Sequence, residues 1–237
     1  MKNEDIFSTD VEKVLPALKS ELERLSTIWL PRKREGDGEA GRLLEESLGI
    51  NENNRHEADI PIADLKSVGV TKSSKLTLFS KEGPLLLPKS EIYERFAFTG
   101  KKHPLTLQSA VNSSPNSHQF SYHCEADGVY LACRNVDIQF WSWDLLTDSF
   151  AAKFPAVFTA HYVSKKIGDV QHFQFVNAYY FPSLITTVNS FISEFKQGNV
   201  TIEVRRYMDE QERNRGTAFR INSETFNRIF QTRQTII

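Results

Sequence analysis

Cysteine is scarce: Cys124 and Cys133 are the two in 237 residues. Two cysteines cannot make a disulfide framework, and no Cys-x-x-Cys or His-x-x-x-His pair stands near them. A zinc site among His118, His123, Cys124 and Cys133 is therefore not expected, and buried thiols with ordinary histidines are. No apolar run approaches the roughly 18 residues that a membrane span needs. The opening MKNEDIFSTD has no apolar signal-peptide core, so a reducing, cytoplasmic address is the expectation. Internal repeats and low-complexity segments are absent too. Net charge is nearly missing: 29 Lys and Arg face 30 Asp and Glu, a balance of −1. That excludes a simple basic nucleic-acid coat and an acidic tail protein, but not a local basic cleft. Gly36-Asp37-Gly38-Glu39-Ala40-Gly41 imitates a phosphate loop without its Gly-Lys-Ser ending or a preceding apolar strand.

What is present is ordinary globular composition, with 40% hydrophobic and 25% charged residues. The length suits one core with an appended lobe. The charge is unevenly spread. Residues 1–65 hold 9 basic and 15 acidic side chains, whereas residues 66–105 hold 8 and 3. Residues 200–237 hold 7 basic side chains, all arginine, against 5 acidic ones. Such a split reads either as separate solvated faces or as an acidic metal site beside a phosphate-binding surface.

Helices are expected over 9–28, 39–48, 90–97 and 183–196, and from Ser223 onward. The first has Val11, Val14, Leu18, Leu22 and Leu25 at helical spacing, with Pro16 as an expected kink. Strands are expected over 58–66, 75–80, 119–125, 129–134, 136–142, 156–164, 171–180, 200–207 and 217–221. Asp127-Gly128 reads as a hairpin turn, and 103–118 as loop. Helices and strands mixed along the whole chain indicate α/β or α+β.

The segment Asp59-Ile60-Pro61-Ile62-Ala63-Asp64-Leu65-Lys66 carries chemistry. On a strand, Asp64 and Lys66 share a face, and a bend near Pro61 would let Asp59 join them. Two carboxylates beside a phosphate suit Mg²⁺, which lowers the pKa of a bound water. The lysine can orient that water or stabilise developing charge. The other reading of the same residues is a charged strand edge.

The neighbouring motifs occur in a fixed order. Gly38-x-x-Gly41-x-Leu43-Leu44-Glu45 opens the second helix, Glu52-Asn53-Asn54 follows, then the Asp59 segment, then Ser74-Lys75-Leu76-Thr77-Leu78-Phe79-Ser80-Lys81. Together they resemble the MvaI/BcnI family of Type II restriction endonucleases, relatives of the MutH mismatch-repair nickase. The likeness touches roughly residues 36–222 and is dense over 36–98. It implies a PD-(D/E)xK restriction-endonuclease-like core, a mixed sheet flanked by helices, with a DNA-recognition lobe. A catalytic lobe of roughly 1–105 and a recognition lobe of roughly 106–237 are expected.

The resemblance implies Mg²⁺-dependent hydrolysis of double-stranded DNA by a monomer that nicks each strand in turn. A cognate methyltransferase partner is implied as well. Asp59 and Asp64 would hold metal, Lys66 would sit beside the attacking water, and Glu45 would hold a second metal or position water. The family usually has Glu where Asp64 stands, and a close relative has histidine where Ser80 stands. Lys81 reads as a phosphate contact or a solvated lysine. Arg213, Asn214, Arg215 and Thr217 fall where the family reads bases, although relatives carry histidine and aspartate at the first two positions. Arg205 and Arg206 are expected at phosphates or in solvent. A MutH-type strand-specific nickase and a catalytically impaired DNA-binding protein are the alternatives.

Overall fold

The structure, a computed structural model, describes residues 4–36, 38–50, 57–70, 75–182, 185–209 and 211–237. Asp37, the Glu52-Asn53-Asn54 turn, Ser74 and Leu184 lie outside them. The early elements are α1 (Val11–Ser26), β1 (Leu30–Pro31), α2 (Glu39–Ser47), β2 (Asp64–Gly69), β3 (Leu76–Ser80) and α3 (Lys89–Phe96). Next come β4 (Leu105–Thr106), β5 (Ser109–Val111), β6 (Phe120–Cys124), β7 (Gly128–Cys133), β8 (Val136–Ser142) and α4 (Trp143–Lys153). The hairpin β9 (Ala156–Ile167) and β10 (Val170–Pro182) leads to α5 (Ile185–Lys196). The chain then forms β11 (Thr201–Val204), β12 (Arg206–Met208), β13 (Glu212–Asn214), β14 (Ala218–Ile221), α6 (Ser223–Ile229) and β15 (Gln234–Thr235). The fold is mixed α+β. Among the described residues no helix is long and apolar enough to cross a membrane.

The chain divides into two compact units. One takes Met1–Ser74, Ala151–Leu184 and Phe230–Ile237; the other takes Lys75–Phe150 and Ile185–Ile229. The expected division near residue 105 is not where the chain parts. β9 returns to pair in parallel with β2, from Asp64 opposite Val157 to Gly69 opposite Tyr162, and so brings a late segment back to the early one.

In the first unit the sheet order is β1-β10-β9-β2, with β15 added alongside β10. β9 and β10 are antiparallel, so the sheet is mixed. α1 starts where the Asp10 carboxylate accepts the Glu12 N–H. It runs on through Pro16 unbroken: Pro16 is exposed, so the carbonyl left without an N–H donor faces water. Leu18, Leu22 and Leu25 of α1 and Leu43 and Leu44 of α2 pack with Leu65, Phe158, Ala160 and Phe175 of the sheet into one buried core. Side chains alternate along β2, so Leu65 and Ser67 face this core and Asp64 and Lys66 face the other way.

The second unit holds three small sheets, β3-β14-β11-β5, β13-β12-β4 and β6-β7-β8. Its interior is aromatic: Phe79 lies 5.0 Å from Phe219, Phe150 4.6 Å from Phe191, and Trp141 5.6 Å from Phe219, ring centre to ring centre. Three local expectations differ from what is found. α4 replaces unassigned chain, and the presumed loop 103–118 contains β4 and β5. The strand expected over 200–207 breaks at Arg205 into β11 and β12. The hairpin expected at Asp127-Gly128 is present: Cys124 and Val129 are its last paired positions, and the Glu125 N–H donates to the Gly128 carbonyl at 2.8 Å across the turn. A Cβ on Gly128 would lie 2.1 Å from the Trp141 carbonyl oxygen, so close packing against β8 also demands the glycine there.

Candidate active site

The chain makes a tight turn just before β2. Ile60 and Ala63 bridge to each other, with Pro61 and Ile62 between them. This is the bend that lets Asp59 fold back: its Oδ2 accepts the Leu65 N–H at 2.9 Å. Asp59, Asp64 and Lys66 are thereby gathered at the start of one strand. Asp64 is fully buried, and the Lys66 Nζ sits 2.5 Å from its Oδ2. The Lys66 ammonium also lies 5.6 Å from the centre of the Phe154 ring.

A fourth group completes the cluster. The Lys153 Nζ lies 2.6 Å from Asp64 Oδ1 and 3.2 Å from Asp59 Oδ1, and donates to the Glu57 carbonyl oxygen at 2.8 Å. It ends α4, where Pro155 prevents the helix from continuing. Sequence reasoning missed it because no spacing rule links it to Asp59, 94 residues away. One signal existed: Lys153 is a lone lysine in the apolar run Phe-Ala-Ala-Lys-Phe-Pro-Ala-Val-Phe.

Burial separates the two carboxyls electrostatically. Desolvation pushes Asp64 up from 3.8 to about 6, even though Lys66 and Lys153 oppose it. Asp59 is also penalised by burial, but the Lys153 charge, the Leu65 N–H and the Lys66 charge outweigh that and hold it below its usual range. Burial alone would lower Lys153, and the two aspartates raise it instead. Both Asp64 oxygens touch ammonium groups, Oδ2 that of Lys66 and Oδ1 that of Lys153. Buried anionic oxygens next to a second carboxylate are suitable donors for a hard divalent cation. Among the described residues no three His, Cys, Asp or Glu side chains converge, so two carboxylates are the available side-chain set.

Glu45 does not join them in a three-carboxylate cluster. It lies half-buried on α2, one turn after Gly41, where an added Cβ would lie 3.3 Å from Ser67 Oγ. Ser67 is on the core face of β2, so α2 packs against the side opposite Asp64 and Lys66. Another acid of α2, Glu39, is buried and held at about 2, first by the Arg42 guanidinium and then by the Lys33 and Arg34 N–H groups. It ties the preceding loop to the helix.

The expected base-reading residues fall in the second unit. Arg213, Asn214 and Arg215 are exposed at the β12–β13 hairpin. Asn214 Oδ1 accepts the Gly216 N–H at 2.8 Å, which shapes the turn after β13, and the Arg215 guanidinium lies 5.9 Å from the Tyr207 ring centre. Thr217 differs: it is fully buried, and its hydroxyl donates to Glu82 Oε1 at 3.0 Å. Its side chain supports the loop from beneath and has no access to a base edge. Lys81 is half-buried, with its N–H donated to the Thr217 carbonyl at 2.9 Å.

Arg205 and Arg206 are not solvent-facing phosphate contacts either. Arg205 donates to the Gly216 carbonyl at 2.8 Å and to Ser80 Oγ at 2.7 Å. Arg206 is buried against Glu82, which also accepts from Gln139 at 3.0 Å. Glu82 is thus the hub beneath the hairpin, and nothing in its local sequence announced it.

The MvaI/BcnI restriction endonuclease family model matches residues 20–230 of the chain. A solved complex of restriction endonuclease MvaI with its cognate DNA substrate superposes with a TM-score of 0.79 at 21% identity, over 94% of this chain and 98% of that one. MvaI in the absence of DNA gives 0.53 at 20% identity, over 94% and 97%. No curated protein matches the sequence.

Proposed function

Because the chain belongs to the MvaI/BcnI restriction endonuclease family and is a Type II site-specific deoxyribonuclease, we propose that it hydrolyses double-stranded DNA with Mg²⁺ at Asp59, Asp64 and Lys66. The observation that carries this reading is the convergence of those three side chains at the start of β2, with both Asp64 oxygens buried against ammonium groups. Asp59 and Asp64 would hold the cation, with water and a phosphate oxygen completing its shell. A bound divalent cation supplies an acidified water and neutralises charge on the phosphate. Lys66 holds its ammonium beside that water and stabilises the developing oxyanion. The Leu65 N–H fixes the Asp59 carboxylate so that one oxygen stays directed at the site.

Recognition is assigned to the β12–β13 hairpin. Arg213 and Arg215 have the geometry for bidentate donation to guanine, and Asn214 presents its amide nitrogen while its oxygen shapes the turn. Lys81 is assigned to the backbone phosphates. We further assign action as a monomer that cuts one strand and then the other, with a methyltransferase protecting the host sites.

The test is digestion of supercoiled plasmid DNA of mixed sequence with Mg²⁺, by wild type and by Asp59→Ala. Wild type should give open circles and then linear product. Asp59→Ala should give neither while still retarding the same DNA in a gel. Open circles that never become linear would point to a strand-specific nickase. No cleavage by wild type would point to a DNA-binding protein without catalysis, and cleavage by Asp59→Ala would overturn the site.

A further inference from the structure

Three oxygens of the first unit converge on a single positive centre. Asp64 Oδ1, the Glu57 carbonyl and Asp59 Oδ1 lie 2.6, 2.8 and 3.2 Å from the Lys153 Nζ. Two carboxylates and a main-chain carbonyl are a donor set that a hard divalent cation takes as readily as an ammonium does. The side chain is 12% exposed, so Lys153 is held within the cluster and is not a solvated surface lysine.

Its charge makes the cluster neutral. Asp59 and Asp64 carry two negative charges, and Lys66 and Lys153 carry two positive ones. A dication entering between the same carboxylates would meet the Lys153 ammonium across a few ångströms of protein of low polarity, where like charges repel strongly. Lysine suits a displaceable counter-charge: it is a compact charge on a flexible stem, whereas a forked guanidinium holds its partner rigidly.

We propose that Lys153 is a resident counter-cation that holds the place of the divalent metal between Asp59 and Asp64 and must withdraw for the metal to bind. The inference rests on the reading of these aspartates as metal ligands. It makes Lys153 a competitor of the metal, and not a further residue of the chemical step.

The experiment is direct titration of the metal-free full chain with Mn²⁺, reading free Mn²⁺ by its electron paramagnetic resonance signal. Wild type, Lys153→Met, Lys153→Gln and Asp59→Ala are compared without DNA. Both Lys153 variants should bind about tenfold more tightly than wild type or better, and Asp59→Ala should lose the site. If Asp59→Ala loses the site but the Lys153 variants bind equally or more weakly than wild type, the inference is overturned while the metal-site reading stands. If binding is the same in Asp59→Ala as in wild type, the metal-site reading falls and the inference with it. Circular dichroism covers variants that fold poorly. Folding restored by Mn²⁺ would support the inference, since metal then replaces the lost ammonium, and failure to fold with and without Mn²⁺ would overturn it.

Discussion

The raised Asp64 carboxyl makes a quantitative prediction about stability against pH. Asp64 moves from 3.8 to about 6 because it is fully buried. A carboxyl whose folded value exceeds its unfolded value holds its proton more tightly in the folded protein. Its contribution to stability is therefore greatest below pH 3.8, falls as pH rises to about 6, and is level above that. Two units at about 1.4 kcal/mol each give a loss of about 3 kcal/mol across the window. Asp64→Asn cannot titrate, so the difference in unfolding free energy between wild type and this variant isolates the effect. Asp59 lies below its usual 3.8 and Lys153 above its usual 10.5, so both titrate outside the window. His161, lowered from 6.5 by burial and then by the Arg233 charge, is common to both proteins and cancels. The assay is urea unfolding in EDTA from about pH 4 to pH 8. Relative to Asp64→Asn, wild type should lose about 2 kcal/mol between pH 4 and 6 and under about 0.5 kcal/mol more by pH 8, the rest of the ~3 kcal/mol lying below pH 4. A difference that stays constant, or that grows in wild type's favour with rising pH, would refute burial as the dominant influence on Asp64.

Two further outcomes test the scaffold. Glu82→Gln should lower stability by about 1–3 kcal/mol, since buried Arg206 loses the nearer of its two charged partners and keeps only Glu212, 3.6 Å away; a melting temperature equal to wild type's would count against a structural role for the pair. Gly83→Ala should cost about 3 kcal/mol, because its Cβ would fall 1.9 Å from the Phe140 carbonyl oxygen, whereas Gly38→Ala, with nothing within 4 Å, should cost under about 1 kcal/mol in the same denaturation assay.

Local sequence made part of the site legible. Asp64 and Lys66 share a face by strand alternation alone, and Pro61 marked the bend that returns Asp59 to them. Lys153 was not legible in the same way. It reaches the cluster only because β9 pairs with β2, a tertiary event that no spacing encodes. The helix that carries Glu45 was correctly expected, but periodicity does not say which side of a strand a helix will cover. Ser67 beneath Gly41 decided that. α4 escaped because few of its side chains are buried, chiefly Leu146 and Phe150, so it presents no long apolar stripe. Arg205, Arg206 and Thr217 looked like surface donors because polarity was visible and Glu82, their shared or neighbouring acceptor, was not recognised as a hub.

The charge pattern illustrates the same limit. Excess acid in residues 1–65 read either as a separate solvated face or as an acidic metal site. Many of those acids are instead matched within their own segment: Glu21 with Arg24, Glu39 with Arg42, and Glu46 with both Lys33 and Arg42. The two acids of the site are matched as well, but one of their cations comes from far along the chain. Asp59 and Asp64 against Lys66 and Lys153 give a neutral cluster while no metal is bound. Regional counts cannot report this, because the relevant sum runs over four side chains joined by folding. The same four explain why an acidic pair can be buried at all. Two unpaired carboxylates in that position would face a desolvation penalty that the surrounding apolar residues could not offset. On the proposed reading of Asp59 and Asp64 as metal ligands, Lys153 is the positive charge that stands between them in place of the dication.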